Sequence, residues 1–124
     1  MVISANKEKY LIEIYSNQDN EGYTRVSDLA KSLQVSVPSV SKMAKKLKDE
    51  ELIEFQRYKM IKLTEKGEEV CKHLLENRHV LVQFLRYIGV DEDKVENEVK
   101  SIENTFSRDV IHLIDRFLKN TSME

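Results

Sequence analysis

The sequence predicts a mainly α-helical protein with one small β-hairpin. Apolar residues recur at helical spacing along most of the 124 residues, and the pattern changes to two short extended runs only at "LIEFQRYKMIKLT". A third observation concerns surface chemistry. The stretch "SVPSVSKMAKKLK", residues 36–48, collects four lysines and no acidic residue in a chain of net charge -2.

The elements follow in order. From about Asn6 to Ser16, Tyr10, Leu11, Ile14 and Tyr15 share one helical face, and "NQDNEG" ends it with turn residues. Ser27 or Thr24 is expected to cap a short second helix carrying Leu29, Ala30 and Leu33. A third helix starts near Val37, because Ser36 is placed to cap free amides and Pro38 fits the first turn, where its missing N–H costs nothing. Its Val40, Met43, Ala44 and Leu47 fall at i, i+3, i+4 and i+7 and form the buried face. Pro38, Lys42, Lys45 and Lys46 project oppositely, with Ser39 and Ser41 on the flanks. The hairpin turns around Arg57-Tyr58 without a glycine signal. Thr64 then caps a long connector helix over about 65–88, which Gly89 ends. Asp91 starts a helix bearing Val95, Val99, Ile102 and Phe106, and Ser107 or Asp109 a last one with Ile111, Ile114, Phe117 and Leu118.

Composition narrows the function classes. An apolar share of 40% suits a globular chain, no apolar run approaches a membrane span, and the N-terminus lacks signal-peptide character, so a cytoplasmic protein without a membrane partner is expected. The single cysteine, Cys71, excludes an internal disulfide framework. No glycine-rich phosphate loop, nucleophile elbow, HExxH or CxxC is present, which argues against an enzyme. Residues 1–75 hold 13 Lys and Arg against 12 Asp and Glu, whereas residues 76–124 hold 7 against 10. Two domains are expected, 1–75 and 76–124.

Two helices in close succession followed by a hairpin form a winged helix-turn-helix pattern. In that arrangement the second helix of the pair enters the major groove of double-stranded DNA and the hairpin touches the adjacent backbone. An ordinary reading of a lysine face is solvation, but the order of elements favours phosphate contacts by Lys42, Lys45 and Lys46 and base-edge contacts by Pro38, Ser39 and Ser41. Ser36 at the helix start and Arg57 and Lys59 at the wing complete the candidate set. The later helices cannot all bury their apolar faces within about fifty residues, so a C-terminal helical dimerisation domain and a homodimer are expected.

"RVSDLA", "PSVSKM", "LTEKG" and the "FLRYIGVDEDKV" junction make the chain similar to the manganese transport regulators (MntR) of the diphtheria-toxin-repressor (DtxR) family, over nearly its whole length. The resemblance implies a dimeric regulator, a repressor at an operator, controlled by a divalent metal; Mn2+ is implied by it alone, and the residues themselves call for no cofactor. The ligand positions depart from the family's pattern. Lys9 and Ile12 stand where the first helix offers two acidic residues, and Lys100, Glu103 and Asn104 stand where the later helix carries E-x-x-E-H, so only Glu103 matches. The connector histidine has its counterpart in His79 or, counting from Gly67, in Arg78. A degraded site of His79 and Glu103 is the expectation, with metal sensing degraded or dispensed with, and Lys9 is a candidate to replace the ion by pairing with Glu103. Two alternatives stay open: a rearranged Mn, Fe or Zn site, for example from Cys71, His73, Glu76 and His79, and a dimeric protein-interaction module derived from such a regulator.

Overall fold

The computed structural model describes residues 3–122. The chain divides into two compact units, Met1–Lys72 and His73–Glu124, and the division falls inside one helix.

The first unit opens with helix α1, Ala5–Ser16, whose N-cap Ser4 accepts the Lys7 N–H. Tyr10, Leu11 and Ile14 are buried and Tyr15 is half-buried, as the helical spacing requires. After the turn comes a three-residue strand, β1 (Tyr23–Arg25), leading directly into α2 (Val26–Leu33). Neither expected cap serves α2: its N-cap is Arg25, which makes no side-chain capping bond. Thr24 lies in the strand, buried, and its hydroxyl donates to the Ile14 carbonyl at 2.8 Å. Gln34 then adopts a left-handed conformation (φ 56°, ψ 45°) and Val35 N–H bonds Ala30 O, closing α2 within a three-residue link to α3 (Val37–Asp49).

Helix α3 starts where its sequence places it. Ser36 Oγ accepts the Ser39 N–H, and Pro38 lies in the first turn. Val40, Ala44 and Leu47 are fully buried and join Leu29, Ala30 and Leu33 of α2 in one core. The hairpin is β2 (Ile53–Gln56) and β3 (Met60–Leu63), and β1 adds to it, giving an antiparallel sheet in the order β1-β3-β2. Tyr23 pairs Lys62, and Ile53 pairs Leu63. The central strand alternates buried Ile61 and Leu63 with more open Met60 and Lys62, a one-sided sheet on the helical core.

Helix α4, Glu65–Tyr87, begins at Thr64, whose Oγ1 accepts the Gly67 N–H at 3.0 Å and donates to Glu51 O at 2.7 Å. Gly67 is needed for packing: a Cβ there would sit 2.0 Å from the Leu52 carbonyl oxygen.

The second unit comprises the later part of α4, α5 (Glu92–Ile102) and α6 (Arg108–Ser122). Gly89, at φ +96°, terminates α4 with Val90 N–H returning to Leu85 O. Asp91 is the N-cap position of α5 but makes no side-chain capping bond, while Ser107 Oγ accepts the Val110 N–H and opens α6. Leu81, Leu85, Val95, Val99 and Ile111 form a small core.

Candidate nucleic-acid interface

The buried face of α3 fixes what its other face presents. With Val40, Ala44 and Leu47 held in the core, Pro38, Ser39, Lys42, Lys45 and Lys46 are exposed and Ser41 is half-buried. From Ser36 to Lys48 no acidic residue interrupts this surface. The hydroxyls of Ser36 and Ser39 lie 2.8 Å apart, so Ser36 caps the helix and also orients Ser39. Lys46 and Lys48 occupy the last turn, where cations interact favourably with the negative helix end. Lys42 and Lys45 have no such structural employment. At the far end of α3, Lys7 Nζ donates to Glu50 Oε1 at 2.7 Å, tying α1 to the helix terminus.

The wing turn adds residues that helical spacing could not reveal. Tyr58 and Lys59 are both left-handed, at φ 62° and 57°, without being glycine, and Tyr58 is 92% exposed. A left-handed L-residue costs roughly 1–2 kcal/mol, so an aromatic ring held in water by such a turn is a feature to be explained by use. Lys59 is exposed; Arg57 begins the turn, and its side chain lies outside the described residues. A recess of about 370 Å³ lies between this turn and the starts of α2 and α3, lined by Arg25, Ser27, Val37, Tyr58 and Lys59 among others. Arg25, Val26 and Ser27 at the side-chain-uncapped start of α2 and Lys59 of the wing border this recess, so two cationic residues and a helix start share its rim. From the sequence Ser27 is expected as a helix cap and Tyr58 as a turn residue, and neither they nor Arg25 at the interface, because β1 and the left-handed turn that place them arise from strand pairing with β3.

Each residue considered as a metal ligand has its own surroundings within its unit. Lys9 is exposed and Ile12 half-buried on α1. His79 is exposed on α4. Glu103, the C-cap of α5, is held by a forked contact from Arg78, with Nε to Oε2 at 2.9 Å and Nη2 to Oε1 at 3.3 Å. Within the second unit the cation that Glu103 takes is Arg78, which lies on α4 and whose planar guanidinium matches the carboxylate. Cys71 is fully buried in the first unit, its thiol donates to Leu11 O at 3.4 Å, and burial pushes it up to about 11, which makes it a core residue and a poor thiolate ligand. His73 Nδ1 faces Glu76 at 3.7 Å on the helix surface. Among the described residues no three His, Cys, Asp or Glu side chains are grouped to hold a metal ion.

Residues 2–61 match the family profile described as "Iron dependent repressor, N-terminal DNA binding domain", and residues 64–123 match "Iron dependent repressor, metal binding and dimerisation domain". The chain belongs to the iron-dependent repressor family. It is 43% identical to the HTH-type transcriptional regulator MntR of Bacillus subtilis (strain 168) over 100 residues, 81% of this chain and 70% of that one. The crystal structure of the metal-dependent transcriptional regulator MtsR superposes with a TM-score of 0.81 at 29% identity, covering 94% of this chain and 55% of MtsR. The hypothetical protein SSo2273 from Sulfolobus solfataricus shares the fold, with a TM-score of 0.80 at 20% identity over 94% of this chain and 89% of that one. The family is one of DNA-binding transcriptional regulators, not enzymes, and both its DNA-binding and its dimerisation domains are present here. Among the described residues no helix is long and apolar enough to cross a membrane.

Proposed function

We propose that this protein is a cytoplasmic, homodimeric repressor that binds operator DNA through α3 and the β2–β3 wing, and that operator binding does not require Mn2+. The observation that carries the reading is the acid-free face of α3, with Lys42 and Lys45 exposed on a helix whose opposite side is locked in the core. Lys42, Lys45 and Lys46 neutralise phosphates and set the register, whereas Ser39, Ser41 and Pro38 lie against base edges. Lys59 and Arg57 act at the wing, with Tyr58 and Arg25 flanking the same phosphate path. The homodimer uses the apolar side chains that the second unit leaves open, Leu113 and Phe117 foremost.

Metal independence is supported by the donor set, since hard and borderline cations need several converging oxygen or imidazole ligands and the described residues offer none. A mobility-shift titration with the upstream region of the protein's own gene tests both parts. The parent is expected to bind equally with Mn2+ and with a chelator. K42A/K45A should weaken binding to all sequences and reduce the salt slope by about 0.9 per lost phosphate contact. Ser39→Ala or Ser41→Ala should instead change sequence preference. Unchanged affinity of the double lysine variant overturns the recognition-helix assignment, and binding that appears only with Mn2+ overturns metal independence.

A further inference from the structure

Glu103 is an unusual place to keep a carboxylate. It caps the C-terminal end of α5, where its backbone N–H still bonds Val99 O at 2.8 Å, so the charge sits at the negative pole of the helix. Its side chain is only 20% exposed, and Ile102 and Phe106 beside it in sequence pack against the small core of the second unit. A half-desolvated anion at a helix C-terminus is unstable without a cation.

That cation is supplied by the chain. Arg78 projects from α4 and forks the carboxylate, Nε to Oε2 and Nη2 to Oε1, and is itself half-buried. A guanidinium stays charged at any working pH and offers two parallel donors, the geometry that best holds a carboxylate. The domain that contains it matches a profile described as metal binding, yet among the described residues no cluster of metal donors is assembled.

We infer that Arg78 is a built-in cation which neutralises Glu103 and closes the joint between α4 and the end of α5, so that the C-terminal unit reaches its folded arrangement without a bound metal ion. Arg78 is a positioning residue, acting on DNA only through the dimer unit it sets. The inference rests on the metal-independent reading above and gives it a structural cause.

The test uses the full chain, melted by circular dichroism with chelator and with added Mn2+. The parent is expected to melt at the same temperature in both. R78A should melt lower by about 3–5 °C, as should E103Q to a lesser degree, because the guanidinium it leaves unpaired is more exposed than the carboxylate and the glutamine keeps one acceptor for it. Exchanging the charges in R78E/E103R should recover most of the loss, which a mere packing defect at either site would not allow. An R78A protein melting within 1 °C of the parent, a parent stabilised by Mn2+, or an R78E/E103R protein melting as low as R78A overturns the inference. Operator binding of the parent in chelator is measured separately: if it fails while the melting pattern holds, the metal-independent repressor reading falls and the role of Arg78 stands.

Discussion

The two units differ in how well each closes its own core. Among the described residues, the first buries fifteen side chains in one contiguous cluster drawn from α1, α2, α3, the sheet and the start of α4, whereas the second buries five. The large apolar side chains left open follow the inverse pattern. The first unit exposes Val35 and Tyr58, and the second exposes Tyr87, Ile88, Val110, Leu113 and Phe117. Tyr87 and Phe117 meet edge to face at 5.9 Å while each remains about half exposed, so even their mutual contact leaves a wet apolar surface. A helical unit with so small a core is completed by another surface, in keeping with its match to a dimerisation domain. Stability of the first unit should therefore be intramolecular, and that of the second should depend on protein concentration.

The largest expected effect is in the closed unit. Leu47→Ala, at a fully buried position of α3, should cost about 2–5 kcal/mol in a denaturant melt, with no dependence on protein concentration. A concentration-dependent loss would mean that the first unit also relies on a partner. Next comes the open unit. L113D/F117D should leave the first unit folded and weaken dimerisation by roughly 30-fold or more in sedimentation equilibrium. A dimer of parental affinity would move the interface elsewhere.

A smaller effect separates stability from function at the wing. Tyr58→Gly removes a left-handed side chain, so chemical denaturation should show a gain of up to about 1 kcal/mol, while operator affinity falls in a mobility shift. Loss of stability would instead make the ring a structural residue. The smallest effect is a pH dependence in the turn before β1. The Tyr23 backbone N–H holds the Asp19 carboxyl below its ordinary value; burial opposes it, and smaller contributions from the Glu21 and Gly22 amides and the Arg25 charge add to the lowering. That contribution is complete above the ordinary carboxyl range and is lost as pH falls through the depressed folded value. Asp19→Asn should accordingly melt below the parent at neutral pH, with the difference shrinking in acid. A gap that persists in acid would assign the effect to the hydrogen bonds alone.

Local chemistry was sufficient for much of the architecture. The bounds of α3 follow from Ser36, Pro38 and the spacing of Val40, Ala44 and Leu47, all within one short stretch, and the start of α4 follows from Thr64 in the same way. Gly89 ends α4 because its backbone adopts a conformation that a side chain would oppose. The lysine face was legible for the same reason: a helix with one apolar stripe has only one place to put its charges. What the sequence by itself could not determine were features made by residues far apart along the chain. Strand β1 is three residues long and exists through its pairing with β3, which turned Thr24 from an expected cap into a buried hydroxyl bonded to Ile14. The recess beside Tyr58 depends on the same pairing. Glu103 was identified as a surviving carboxylate, but its partner was settled only when α4 and α5 packed through Leu81, Leu85, Val95 and Val99 and brought Arg78, 25 residues away, within 2.9 Å. Periodicity reports which face of a helix is buried; it carries no information about which side chain of another helix that face will meet.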